Sequence, residues 1–263
     1  MANRKSIFIT GGGSGIGRAT AQYFGAQGWF VGLADVNVVG ISETAALLPE
    51  GQSSQHEMDV RDRAQWTKAL AAFWMAAEGR LDVMFNNAGI ARGGAFSDVP
   101  SDDNDLLIAI NFSGVIKGAE AALPYLKQTP GSCLLNTCSA SGIVGAPGLA
   151  VYSATKFAVR GLSEALDAEW VSLGIKVRTI MPSYIDTPLL DVTTSGRNSS
   201  AREEVVRIGL EFTPVAKVAE AAWRAVHSRN IHTVVGKTAH ELAFGARFMP
   251  SLLRKRIRKT MRA

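Results

Sequence analysis

Seven short apolar runs alternate with amphipathic stretches of ten or more residues, and this rhythm is the strongest constraint on what the chain can fold into. The runs are 6–10, 29–35, 53–59, 81–86, 132–138, 175–181 and 231–235; the helix-like stretches are 15–27, 39–48, 61–78, 101–127, 150–173 and 214–228. Short strands separated by helices point to a parallel sheet with right-handed crossovers. Several runs are apolar almost throughout, as expected where helices cover both faces of a sheet. The expected fold is therefore α/β: one domain over 1–238, built on a doubly wound parallel sheet. With 47% hydrophobic residues in 263, a sizeable core is available. The segment 183–213 lacks periodicity and carries Pro188 and the polar run 193–200, which reads as a loop that closes over a site. No unbroken apolar run reaches the roughly 18 residues that span a bilayer. Met1 to Ser6 runs into Ile7 without a signal-peptide cleavage pattern. Cys133 and Cys138, five apart on one strand, point to opposite faces and are not expected to pair. These features together predict a reducing, cytoplasmic setting.

The net charge of +5 is local. Residues 247–263 hold seven Arg or Lys and no acid; without them 21 basic residues face 23 acidic ones, a net of −2. A near-neutral body argues against a nucleic-acid partner. In the extension 239–263, Leu253, Ile257 and Met261 recur every four residues, with Arg254, Arg258 and Arg262 one step round. This is a basic amphipathic helix, interrupted upstream by Pro250. Two readings stand for it: packing on its own body or a partner, or peripheral contact with an anionic membrane.

The first strand ends in Thr10-Gly11-Gly12-Gly13-Ser14-Gly15-Ile16-Gly17, and a helix follows. Gly11, Gly15 and Gly17 suit a tight turn, close backbone approach to a pyrophosphate and close helix–strand packing. The helix start offers free N–H groups and partial positive charge to phosphates. No Gly-Lys-Ser/Thr follows, so this is not a P-loop. Asp35 ends the second strand 18 residues after Gly17. A carboxylate there can accept both adenosine ribose hydroxyls and repel a 2′-phosphate, so NAD is expected rather than NADP. Ser14, Val36 and Asn37 supply no cation for such a phosphate, although Arg18 lies on the first helical turn.

Tyr152 and Lys156 are four apart and share one helix face. A phenol with a pKa near 10 is a poor base at neutral pH, and a neighbouring ammonium favours its ionised form. Ser139 ends an apolar strand 13 residues before Tyr152, at the sheet edge where ligands bind. Its hydroxyl can stabilise charge on a substrate oxygen, or it can cap a loop; Ser141 is a nearby alternative.

With these residues in hand, the chain resembles the short-chain dehydrogenase/reductase family, on a single-domain Rossmann-type fold, from the first strand to about residue 235. The glycine loop matches the family's TGxxxGxG, including Ser14 and Ile16. Asp59-Val60 matches the pair beside the adenine, and Asn86-Asn87-Ala88-Gly89 matches the NNAG element. Asn111, Ser139, Tyr152 and Lys156 match the catalytic tetrad. Pro182-Ser-Tyr-Ile185-Asp-Thr187 matches the PGxxxT segment that holds the nicotinamide carboxamide, with Ser183 in place of glycine. The resemblance implies Tyr152 as general acid/base, Lys156 as the group that lowers its pKa and binds the nicotinamide ribose, Ser139 as the polariser of the substrate oxygen, and Asn111 as holder of a relay water. The cofactor carries the hydride.

The expected activity is hydride transfer between NAD(H) and a secondary alcohol or ketone. The alternatives are a non-enzymatic, redox-sensing dinucleotide-binding regulator, and dehydratase or epimerase chemistry on the same scaffold. Pocket candidates Ile90, Ala91, Ile143, Val144, Ala146, Leu149, Tyr184 and 188–190 are mostly apolar, with Arg92 and Arg197 the only cations nearby. That wall suits a neutral, bulky apolar substrate. The helices at 101–127 and 150–173 are long and apolar and resemble the family's dimer helices, and the resemblance, with the extra tail 239–263 opposing a tetramer, implies a homodimer. No metal site is expected, and the four histidines are read as surface or capping residues.

Overall fold

The computed structural model describes residues 4–191, 195, 200–207 and 209–260. Strands β1 (Ser6–Thr10), β2 (Phe30–Asp35), β3 (Ser53–Glu57), β4 (Val83–Asn86), β5 (Cys133–Thr137), β6 (Lys176–Pro182) and β7 (His232–Val235) form one parallel sheet in the order β3-β2-β1-β4-β5-β6-β7. The order reverses between β1 and β4. At such a switch point the crossovers on either side diverge and leave a crevice beyond the strands' carboxyl ends.

Side chains alternate across each strand, so the sheet feeds two cores. Ile7, Ile9, Leu33 and Phe85 pack with Phe24 of α1 (Gly15–Ala26), Ile41 of α2 (Val38–Ala46) and Val218 of α8 (Val215–His227). Phe8, Met84, Leu134 and Val177 face the other way, onto Trp66, Leu70 and Phe73 of α3 (Arg63–Ala76) and onto the helix ending at Leu126. His56 departs from the surface reading: its ring lies 5.3 Å from that of Phe8 and also meets Phe73, and burial lowers its pKa to about 4. Cys133 and Cys138 are buried free thiols.

The expected single helix over 101–127 is in fact α4 (Ser101–Ile108), a π-helical turn (Ala109–Ser113) and α5 (Gly114–Leu126). One extra residue per turn is a small local distortion, invisible to apolar periodicity and frequent at functional sites; here it carries Asn111. This composite helix is also long and apolar enough by composition to cross a membrane, with a window of mean hydropathy 1.5, which a count of unbroken apolar runs misses. Val115, Ala119, Ala122 and Leu126 on it are buried, so its inner face belongs to the domain core.

Helix α6 (Ala150–Trp170) ends in a 3-10 turn (Val171–Leu173). The irregular segment after β6 holds a 3-10 turn (Pro188–Asp191) and a short helix, α7 (Ala201–Arg207). Most of the polar run 193–200, Arg197 included, lies outside the described residues. Beyond β7, α9 (Lys237–Phe248) packs on the strand it follows, and α10 (Pro250–Thr260) continues after a bend, with Leu253 against Gly245. The break between them falls at Pro250, which has no N–H to continue a helix.

Candidate active site

A cleft of about 630 Å³ runs along the carboxyl edge of the sheet. It is lined by Gly11, Ser14, Gly15, Ile16, Asp35, Asp59, Val60, Asn87, Ala88, Gly89, Ser139, Tyr152, Lys156, Pro182, Ile185 and Thr187. All but two of the sequence-derived site residues therefore meet in one place. The two others, Gly17 and Asn111, stand directly behind the wall.

At the β1–α1 turn, Gly15 has φ +50, and a Cβ on Gly17 would overlap the Gly11 carbonyl. Only glycine lets the helix start so close to the strand. Ser14, the N-cap, makes no side-chain capping bond, so the first N–H groups of α1 open onto the cleft. An uncapped helix start with its partial positive charge is a cradle for phosphate oxygens. Asp35 closes this end: its Oδ2 accepts from Gly13 N at 3.0 Å and its Oδ1 from Asn37 N at 3.0 Å. Arg18 is engaged elsewhere, donating to Gly13 O (2.6 Å), Thr44 Oγ1 (3.0 Å) and Glu43 Oε2 (2.7 Å). Arg61, on the cleft rim, is held bidentately by Asp59, whose carboxyl it keeps below the usual range. The donors and the acid fit the phosphates and ribose of a dinucleotide.

The strand ends are tied together behind the cleft. Thr10 Oγ1 accepts from Asn87 N (3.0 Å) and Ala88 N (3.1 Å), and Asn87 Oδ1 accepts from Thr137 Oγ1 (3.1 Å). Asn111, fully buried, bonds Ile90 twice: Oδ1 accepts from its N–H (2.9 Å) and Nδ2 donates to its carbonyl (2.8 Å). The π-turn aims the amide inward, and the backbone pair fixes the segment that follows Gly89.

At the other end Ser139, Tyr152 and Lys156 converge. Ser139 meets the loop-capping reading and stands beside Tyr152 in the cleft. It caps the turn Ala140–Gly142, its Oγ accepting from Ser141 N at 3.1 Å, and its side chain lies close enough to the Tyr152 phenol to favour ionisation. Tyr152 opens to the cleft over part of its ring, yet burial pushes its phenol up to about 12, with the neighbouring Ser139 side chain acting in the opposite direction. Lys156 is buried, and desolvation lowers its ammonium to about 8. Its Nζ sits 5.6 Å from the Tyr152 ring centre and donates to the Thr137 carbonyl at 3.1 Å. Burial thus outweighs the ionising influence on the phenol expected from the lysine alone.

The substitution of serine at 183 is accommodated by the neighbouring strand end. A Cβ on Gly236, whose φ is +94, would overlap Ser183 Oγ. Among the described residues the only non-glycine with positive φ is Glu78, so position 183 needs no glycine.

The substrate end is walled by Ile90, Ala91, Val144, Ala146, Leu149, Tyr184 and Leu189. Ile143 is the exception among the pocket candidates. It turns away to pack with Val159 and Met181. Arg92 pairs with Asp103 at 3.0 Å and does not line the cleft. Sequence reasoning missed four contributors. Thr137 was legible as a polar strand end beside Ser139. Thr238 and Leu242 of α9 enter the wall from beyond the recognised motifs. Arg202 of α7 donates to Asp186, Asp191 and the Thr187 carbonyl, stapling the loop that carries Thr187.

A profile described as short chain dehydrogenase matches residues 5–198. Meso-2,3-butanediol dehydrogenase of Serratia marcescens is 32% identical over 250 residues, 91% of this chain and 96% of its own. A short-chain dehydrogenase from Streptomyces avermitilis superposes with a TM-score of 0.84 at 26% identity, covering 100% of this chain and 98% of that one. The 3-ketoacyl-(acyl-carrier-protein) reductase of Brucella melitensis, solved with NADH, superposes with a TM-score of 0.77 at 26% identity, covering 89% and 98%.

Proposed function

The chain belongs to the short-chain dehydrogenase/reductase family, and from that premise we propose that it is an NAD-preferring oxidoreductase of neutral, bulky apolar secondary alcohols or the matching ketones. The observation that carries this reading is the convergence of Ser139, Tyr152 and Lys156 at one end of a cleft whose other end presents Asp35 and the uncapped start of α1. NAD(P)-dependent alcohol or ketone chemistry is the family's activity; the preference for NAD and the substrate class are this proposal's own.

A dinucleotide bound along the cleft supplies the hydride acceptor or donor. The N–H groups of Gly15, Ile16 and Gly17 would hold its pyrophosphate, Asp35 its adenosine ribose, Asp59 and Val60 the adenine, and Pro182, Ile185 and Thr187 the nicotinamide. Tyr152 Oη donates its proton to a carbonyl oxygen, or removes it from a hydroxyl in the oxidising direction. Its raised pKa suits the first role; the second requires Lys156 to stabilise the phenolate. Ser139 Oγ hydrogen-bonds the same substrate oxygen as charge builds on it. Asn111 orients the segment beside Gly89 and Lys156.

Asp35 supports NAD because a second anion beside it would be repelled, and neither Arg18 nor Arg61 is free to neutralise one. Among the described residues no cation besides Lys156 lines the substrate end, and that apolar wall supports a neutral substrate. The small diol named for the Serratia relative marks the opposite end of the size range. We further propose a homodimer through α4–α5 and α6, where Ile108 and Phe157 are exposed; light scattering that gave a monomer or a stable tetramer would refute it. The activity test is NADH formation with a bulky apolar alcohol, a polyol and a 3-hydroxy acid. The apolar alcohol should lead in kcat/KM. A tenfold preference for either other substrate, about 1.4 kcal/mol in transition-state binding, would refute the substrate class, and no turnover of any alcohol or ketone would refute the activity.

A further inference from the structure

The C-terminal helix pair exposes a surface that the cleft chemistry does not use. On α9, Phe244, Arg247 and Phe248 share one face by their three- and four-residue spacing. Phe244 and Phe248 are 56% and 62% exposed, with ring centres 5.0 Å apart, and the Arg247 guanidinium lies over the Phe248 ring. On α10, Leu253 turns inward onto Gly245, which leaves Leu252, 61% exposed, on the outer face with Lys255, Arg256 and Lys259. Met249, at the bend, is exposed as well. Among the described residues none of these cations is in an ion pair, and no acid occurs after Glu241.

We propose that this α9–α10 face docks on the headgroup region of an anionic lipid bilayer, with Phe244, Phe248 and Leu252 entering the interface. Interleaved apolar and cationic residues are what a helix lying on an anionic surface requires: side chains that leave water, and charges that meet lipid phosphates without leaving it. A second copy of the chain fits this face poorly. A two-fold contact sets the same patch against itself, which would bring unpaired cations together. Cores of protein interfaces are also depleted of lysine. Because Thr238 and Leu242 on the same α9 line the cleft, docking would set the apolar substrate end beside the bilayer.

The test uses the full chain and co-sedimentation with vesicles of phosphatidylcholine alone, or with about one lipid in three replaced by phosphatidylglycerol. Binding is expected only to the anionic vesicles, weakening at least about tenfold as salt shortens the Debye length. Two variants separate the contributions: Phe248→Ser with Leu252→Ser, and Lys255→Gln with Arg256→Gln and Lys259→Gln. Each should lose binding by about tenfold or more, with an unchanged melting temperature and unchanged NADH formation in lipid-free solution. Equal binding to both vesicle types, or none to the anionic ones at low salt, overturns the proposal. So does a fall in oligomer size in the Phe248→Ser, Leu252→Ser variant, which would mean that a second copy covers this face. The vesicle-binding, melting-temperature and oligomer-size readouts do not depend on the enzymatic assignment.

Discussion

The Lys156 ammonium lies 3.1 Å from the Thr137 carbonyl, and the Lys156 carbonyl in turn accepts Cys138 Sγ at 3.1 Å. The end of β5 and the second turn of α6 are therefore stitched in both directions. Because Ser139 follows Cys138, and Tyr152 precedes Lys156 by one helical turn, the two stitches fix the phenol relative to the serine hydroxyl. Cys138 itself is buried, and burial raises its thiol pKa, so it acts as a neutral donor and not as a nucleophile.

Tyr152→Phe keeps the ring and its packing while removing the proton that is transferred. Turnover should fall at least about 100-fold, the lower end for loss of general acid–base catalysis, with the melting temperature nearly unchanged. Steady-state kinetics on the folded variant decide the point. Near-wild-type turnover would remove Tyr152 from the chemistry.

The buried Lys156 makes a statement about stability. Its pKa is lowered from 10.5 to about 8 by desolvation. Between those values the unfolded chain binds a proton that the folded chain does not, so stability rises with pH across that window. Below about pH 8 both states are protonated and the destabilisation is fully present. Lys156→Met removes this contribution, so its melting temperature relative to wild type should decline from pH 8 to pH 10.5. The span of the change has a ceiling of about 3 kcal/mol. Parallel melting curves for the two proteins over that range would show that the ammonium is not destabilised by burial.

Much of this architecture could be read from the chain because the parallel sheet writes itself as repeated apolar runs. Asp35, Ser139 and Thr187 fall near the ends of such runs, where the fold places ligand-facing residues. The π-turn at Asn111 could not be read in the same way, since one extra backbone residue leaves the apolar pattern almost intact. Arg202 was hidden for a different reason. Its partners, Asp186 and Asp191, are 16 and 11 residues away in sequence, in a segment without periodicity, so only the folded chain brings them together. Thr238 and Leu242 lie past the matching motifs, and their approach to the cleft depends on how α9 packs on β7.

Asp35→Ala should weaken NAD binding and narrow the gap to NADP. The carboxylate bonds Gly13 N and Asn37 N, so the variant also loosens the turn that frames the ribose. The loss should amount to about 1–3 kcal/mol, as for charged hydrogen bonds removed from one partner. Calorimetry with both dinucleotides measures it. Wild-type affinities equal for NAD and NADP would defeat the reading and point to rearrangement of Arg18 away from Glu43.

Arg202 offers the most specific test of how the loop after β6 is held. Its guanidinium reaches Asp186 (2.5 Å), Asp191 (2.6 Å) and the Thr187 carbonyl (3.1 Å), and lies over the Phe212 ring. Each exposed ion pair alone is worth little, with a median of about 0–1 kcal/mol. The effect on stability should therefore be small. Position is another matter, because Thr187 and Ile185 line the cleft from this loop. Arg202→Ala should raise KM for substrate or dinucleotide about fivefold to tenfold, within the range of about 1–1.4 kcal/mol, while kcat changes less. Arg202→Lys should not rescue it, since a point charge cannot reproduce a planar fork that serves two carboxylates and a carbonyl. High salt should bring the wild type toward the variant, because these pairs are exposed to screening. Unchanged KM in Arg202→Ala would mean that α7 rests on the loop without ordering it, and full rescue by lysine would reduce the staple to simple charge attraction.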